Sequence, residues 1–342
     1  MMRIVIAPDS FKECLSAREV AAAIAAAARE RWPGAEVVEV PMADGGEGTL
    51  DVLAKALGAD IRKATVSDPL GRPVTARYGV ASGTAILEVA QACGLSLLQP
   101  AERNPLVATS RGVGGLMIAA YSAGCRHFMV GLGGSATCDG GAGMLEVPGI
   151  RQLKDVSVEL LCDVDAPFIG PKGAARVFAP QKGASPEEVE VLEQRMTRLA
   201  EAIRQESGTD VAHMPGAGAA GGLGGAFMAY FKARTNSGIE KVLDLVHFRQ
   251  AARNASLIIT GEGKSDAQTL QGKVPFGVLQ CAGGTPVALL SGRIEDRQAL
   301  LRAGFGPVIE VSPRDIPLSA AMNPDIAKRN LREAVLALPE LR

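Results

Sequence analysis

Residues 3–40 read RIVIAPDSFKECLSAREVAAAIAAAARERWPGAEVVEV, and the order of their patterns decides the fold. RIVIAP is an apolar run of strand length. Ser16-Ala17-Arg18-Glu19 is a capping box, in which the serine hydroxyl and the glutamate carboxylate satisfy amides that a first helical turn leaves free. The Ala-rich helix that follows should stop at Pro33-Gly34. EVVEVP then reads as a second strand, and GEGTLDVLAKALG as a second helix. This β-α-β-α order belongs to a parallel sheet covered by helices.

From about residue 60 the pattern changes. RKATVSDPLGRPVTARYGV and TAILEVA read as antiparallel strands around a turn at Asp68-Pro69-Leu70-Gly71. A helix over GVGGLMIAAYSAG and a strand over RHFMVGL follow. Ser185 caps a further helix whose Val189, Leu192, Met196, Leu199 and Ile203 recur at helical spacing and read as core. After residue 250 the first pattern returns, with strands at SLIITGEG, TPVALLSG and GPVIEVS. Together with the first two they make five strands of flavodoxin type. The expected fold is therefore α/β: a discontinuous flavodoxin-like parallel-sheet domain, residues 1–60 and 250–342, with a second α/β domain, 61–249, inserted. The cleft between them is the expected ligand site.

Composition narrows the function. A net charge of -1 and 4% aromatic residues offer neither a basic footprint for nucleic acid nor a stacking surface, and no cationic face for a membrane. No apolar run has the length of a secretory signal or a membrane span, and the six cysteines form no CxxC. A cytoplasmic protein with reduced thiols is expected.

The chemistry must come from what remains once familiar motifs are set aside. No GxxxxGK[ST] phosphate loop and no HExxH are present, and a nucleophile elbow is ruled out by Thr137. The run Gly216-Ala-Gly218-Ala-Ala-Gly221 matches GxGxxG but follows His-Met-Pro. It reads either as a helix start packed closely on a neighbour or as a helix N-terminus offered to phosphate. A strand before Gly216 would favour a dinucleotide-dependent oxidoreductase.

Six clusters of one character lie just past strand ends among glycines. They hold Asp9, Ser10 and Lys12; Asp44 and Glu47; Gly133, Ser135, Thr137 and Asp139; Asp163 and Asp165; Gln181 and Lys182; and Glu262, Asp266 and Lys273. Carboxylates, lysines and glycine-rich amides, with no catalytic histidine or thiol, suit Mg²⁺-dependent phosphoryl transfer. In CDVD, Asp163 and Asp165 would share one face of a strand.

The segments VIAPDSFKE, PMADGGEGT, ERNPL, LGGSATCDGGAGM, CDVDAPFIGPKGA, FAPQKGA, GAGAAGGLG and ITGEGKSDAQTLQGK, in this order, resemble the bacterial glycerate kinase family that lacks a Walker loop. The resemblance implies the fold above, ATP and Mg²⁺, and transfer to D-glycerate giving 2-phosphoglycerate. It departs from the family at Cys138, at Lys264-Ser265, and between Leu145 and Leu161, where the chain is far shorter. That shortness reads either as a deletion or as a segment missing from the chain.

With this resemblance, the pool for metal and general base is Asp9, Asp44, Asp163, Asp165 and Asp266, with Asp163 and Asp165 first for metal and catalysis. Lys12, Lys182 and Lys273 are read as charge-neutralising, Lys12 and Lys273 among the catalytic residues. Arg103 and Asn104 are read as orienting the glycerate carboxylate. Ser10, Glu47, Gly133, Ser135, Thr137, Asp139, Gln181, Gly218, Gly221 and Glu262 complete the binding set. An oxidoreductase on GAGAAG and a non-catalytic metabolite-binding protein are the alternatives.

Overall fold

The structure is a computed structural model that describes residues 2–340. Its eleven strands are β1 (Arg3–Ile6), β2 (Glu36–Glu39), β3 (Asp60–Ser67), β4 (Pro73–Ala81), β5 (Thr84–Glu88), β6 (His127–Gly131), β7 (Ser157–Leu161), β8 (Arg234–Asn236), β9 (Leu257–Ser265), β10 (Val287–Ile294) and β11 (Val308–Glu310). The chain divides into two compact units, Met1–Asp44 with Ile239–Arg342, and Gly45–Gly238.

The first unit holds a five-stranded sheet in the order β11-β10-β9-β1-β2, parallel throughout. Counted within the unit, that is the flavodoxin order 2-1-3-4-5. β9 and β10 are almost continuously buried because both faces of a parallel sheet are covered. One cover is the helix α1 (Ala17–Arg31), started by the expected capping box: Ser16 N donates to Glu19 Oε2 at 3.0 Å, and Glu19 N to Ser16 Oγ at 3.3 Å. Val20, Ile24 and Ala28 pack from α1 against Leu331 and Val335 of the helix Pro324–Leu336, over Ile4, Ile6 and Ile259.

The second unit holds a six-stranded mixed sheet, β3-β4-β5-β6-β7-β8. The β3–β4 and β4–β5 pairs are antiparallel and the remaining three parallel. The turn at Asp68 forms as expected, closed by Asp68 carboxylate contacts to the Leu70 and Arg72 amides at 2.8 Å. Phe128, Phe168, Phe227 and Met196 centre the core. In the helix Pro186–Ser207, Val189, Leu192, Met196 and Ile203 are buried, while Leu199 is half-buried against that core.

The expected domain limits at 60 and 250 move to 44 and 238. The reason is the helix α2 (Thr49–Leu57), which packs on β4 and β5 and not on the parallel sheet. Its sequence is amphipathic either way; only the partner differs. At the other limit, Ile239 packs on Gly277 and so belongs with the first unit. In the short stretch after Leu145, one turn at Ile150–Gln152 leads directly into β7, where Ser157 N bonds to Arg126 O at 2.9 Å.

Candidate active site

In the first unit, Asp9 lies just beyond β1 and Glu262 within β9, at the carboxyl ends of two paired strands where the strand order reverses. That is the switch point at which α/β sheets bind ligands. Asp9 is only 7% exposed, and its Oδ1 accepts the Ser10 amide at 2.7 Å. Burial, then the charge of Asp44, drive its carboxyl well above the ordinary range; the Ser10 amide and Lys12 oppose this. Glu262 accepts from Ser265 Oγ at 2.9 Å and Thr269 Oγ1 at 2.6 Å, and pairs with Lys273 Nζ at 3.3 Å. Burial raises Glu262 as well, against the pull of Lys273. Ser265 also shares a 2.6 Å hydrogen bond with Ser291 of β10. Two neighbouring carboxylates with raised affinity for protons and two lysines form one cluster here.

Asp266 faces a different task. Its Oδ1 accepts the Gln268 amide at 2.9 Å and starts the turn Ala267–Gln271, which sets Thr269 under Glu262. The Lys264-Ser265 departure is accommodated there: Lys264 reaches Glu295 at 3.1 Å, and Ser265 turns inward to Glu262.

In the second unit, Lys182 is 3% exposed and donates to Ser135 Oγ at 2.9 Å and Thr137 O at 2.7 Å. Burial lowers its proton affinity, while Cys138, Cys93 and Asp139 restore part of it. Thr137 Oγ1 is buried without a conventional hydrogen-bond partner, beside the Cys93 thiol, whose own pKa burial pushes up to about 12. Arg103 packs its backbone on Gly183, and its Nε is buried without a partner. Ser135, Thr137 and Lys182 thus come together as hydroxyls and a cation, with the Arg103 backbone against the adjoining Gly183. Gln181 is exposed beside them, and Asn104 Oδ1 accepts the Leu106 amide at 2.9 Å.

Several expectations change. CDVD lies beyond the end of β7 and not on a strand, so Asp163 and Asp165 do not share a strand face. Asp163 accepts from Ser237 Oγ at 2.6 Å and the Gly238 amide at 3.0 Å; Asp165 is exposed. Asp139 is occupied structurally, taking Ser110 N and Oγ from the start of the helix Arg111–Ser122 and Gly141 N and Gly143 N from its own loop, at 2.8–3.2 Å. The glycines serve backbone contact first. A Cβ on Gly133 would lie 2.5 Å from Gly46 Cα, one on Gly218 2.2 Å from Pro167 O, and one on Gly221 1.9 Å from Thr137 O. No strand precedes Gly216, since residues 209–215 form turns after the helix Pro186–Ser207. The dinucleotide reading therefore lacks its support, and close packing explains GAGAAG.

Among the described residues, no three His, Cys, Asp or Glu side chains gather as a metal-binding group. Mg²⁺ takes one or two carboxylates beside phosphate oxygens, and Asp9 and Asp44, whose charges influence one another, are of that donor type. Residues that motif reading did not assign to the site are Ser265 at the end of β9, Thr269 in the turn after it, Ser291 within β10, and Glu88, a single acid in TAILEVA. Their signal was only a polar residue in or just after a strand. No helix among the described residues is long and apolar enough to cross a membrane, and all six cysteines are free.

The sequence profile of the Glycerate kinase family matches residues 4–154 and 148–339. Glycerate kinase from Bacillus subtilis (strain 168) is 40% identical over 354 aligned residues, covering 94% of this chain and 93% of the relative. Glycerate 2-kinase from Escherichia coli (strain K12) is 42% identical over 328, covering 86% of each. A crystal structure from Salmonella typhimurium LT2, provisionally assigned as glycerate kinase 2, superposes with a TM-score of 0.80 at 40% identity, covering 98% of this chain and 96% of that one. The 354 aligned positions exceed the 342 residues of this chain, so it is gapped against the Bacillus relative. The two profile matches meet at 148–154, inside the shortened stretch. The kinship also sets aside a non-catalytic role. The chain belongs to the glycerate kinase family and is a phosphotransferase with an alcohol group as acceptor.

Proposed function

We propose that the protein transfers the γ-phosphoryl group of ATP to the 2-hydroxyl of D-glycerate, with Mg²⁺, giving 2-phosphoglycerate. The observation that carries this reading is the cluster of two buried carboxylates, Asp9 and Glu262, with the half-buried Asp44 and Lys273 at the switch point of the parallel sheet. A carboxylate with raised proton affinity suits removal of the acceptor proton as the bond to phosphorus forms. Asp9 is favoured for that step because its carboxylate is buried, whereas Glu262 is already paired with Lys273. Lys12 and Lys273 would balance phosphate charge. Mg²⁺, when bound by Asp9 or Asp44 or by Asp163 and Asp165, supplies charge neutralisation on the transferring oxygens.

Arg103, with Ser135 and Thr137 backed by Lys182, would receive the glycerate carboxylate, since a guanidinium fork and hydroxyl donors match two carboxylate oxygens. Support for the 2-position comes from the Escherichia coli relative described as a glycerate 2-kinase. The test is ADP release with ATP, Mg²⁺ and D-glycerate, followed by phosphorus NMR of the product. A 3-phosphoglycerate signal would overturn the regiochemistry, and absence of ADP the reaction.

A further inference from the structure

Glu88 ends β5, is buried, and belongs to none of the glycine-rich motifs. Its Oε1 accepts the Leu50 amide at 2.6 Å, and its Oε2 accepts from Gln91 Nε2 at 3.3 Å. Leu50 stands in the first turn of α2, whose N-cap, Gly48, has no side chain to satisfy the free amides there. Glu88 performs that task from another strand.

The segment before α2 is held in the same way by its neighbours. Gly45 O accepts the Gly133 amide at 3.1 Å beyond β6, and Gly45 rests against Leu161 at the end of β7. Thr49 Oγ1 donates to Gly46 O at 2.7 Å. Strands β5, β6 and β7 therefore all hold Gly45–Leu50 at their carboxyl ends, while the Glu47 side chain stays exposed. Because Glu88 occupies the Leu50 amide, that donor of α2 is taken by the protein itself.

We propose that Glu88 is a positioning residue for phosphoryl transfer: by capping α2 from the end of β5, it fixes the Gly45–Leu50 segment that directly follows Asp44 and carries Glu47. This rests on the proposed kinase reading. Glu47 and Asp51 are the acids whose charge reaches Glu88, and Arg77 of β4 pairs with Asp51 at 2.5 Å. The acceptor oxygen of Glu88, and not a proton it exchanges, is what the role requires.

The full chain is compared as parent, Glu88→Gln and Glu88→Ala, by steady-state kinetics, thermal melting and amide hydrogen exchange at residues 49–52. Glu88→Gln keeps an acceptor for Leu50 N–H and is expected to hold kcat within about twofold. Glu88→Ala should stay folded at assay temperature, lose protection at Leu50, and lose kcat by roughly ten- to a hundredfold, with KM for both substrates nearly unchanged. Glu88→Leu, which keeps volume without an acceptor, replaces Ala if Ala does not fold. A folded Ala or Leu variant with parental kcat overturns the role, as does a Gln variant as impaired as Ala. Absence of turnover in the parent would be a failure of the kinase reading. Exchange would still decide for Glu88: equal protection of Leu50 in all variants overturns the cap, and loss in Ala but not Gln sustains it.

Discussion

At the scale of single residues, the protein places titratable groups such as Asp9, Glu262 and Lys182 where solvation is poor. Asp9 holds its proton more tightly in the folded chain than in the unfolded one, where its value is near 3.8. As pH rises from there through the raised folded value, the unfolded state has already lost a proton that the native state keeps. Stability therefore falls across that window. Asp9→Asn removes the titration, so it should melt above the parent at pH 7 and alike below about pH 4, checked by calorimetry at both. Its turnover should drop by roughly two orders of magnitude or more. A variant with parental turnover would move the proton acceptor to Asp163 or Asp165. Lys182 is the matching case in the second unit, a buried ammonium whose contacts are Ser135 and Thr137. Lys182→Met keeps most of the bulk and removes the donor, and KM for glycerate is expected to rise about tenfold or more, while KM for ATP moves less. Equal change in both would argue against a carboxylate subsite. These burial-dependent properties were not visible in the motifs, where Asp9 and Asp139 look alike; four internal donors separate them.

At the scale of elements, local rules held wherever the partners were local. The Ser16 box starts α1 as read, because its two hydrogen bonds span three residues and need nothing else. Ser16→Ala is expected to cost about 1 kcal/mol, measured by denaturant unfolding. CDVD failed for the converse reason: whether β7 ends at Leu161 or runs on depends on β8, whose pairing stops at Asn236. The glycine-rich runs were legible as places of close approach but not as to what approaches. At Gly221 the backbone is left-handed, at φ +68, and the Thr137 carbonyl fills the space of a side chain. Gly221→Ala should therefore destabilise by several kcal/mol and shift the 135–139 loop, with loss of turnover. Gly34→Ala, at a site with nothing within 4 Å, should be neutral within about 0.5 kcal/mol. Equal melting of the two variants would refute the packing account.

At the scale of the whole molecule, the Gly45–Gly238 unit is contiguous, carries its own apolar core and closes its own sheet. Expressed alone, residues 45–238 should fold with one cooperative thermal transition in circular dichroism, whereas 61–249, which lacks α2, should melt lower or fail to fold. The reverse ranking would restore the boundary at 60. The flavodoxin-like grammar was legible because apolar strand runs and capped helices are local patterns, and a chain that resumes its first pattern after residue 250 has few ways to pair those strands. The ingredients of the site were legible as residue types past strand ends. Which sheet α2 covers, which carboxylates lose their water, and which hydroxyls reach Glu262 were decided only in three dimensions. Those properties depend on long-range contact and burial, and an amphipathic helix or an isolated acid is compatible with more than one partner until packing selects it.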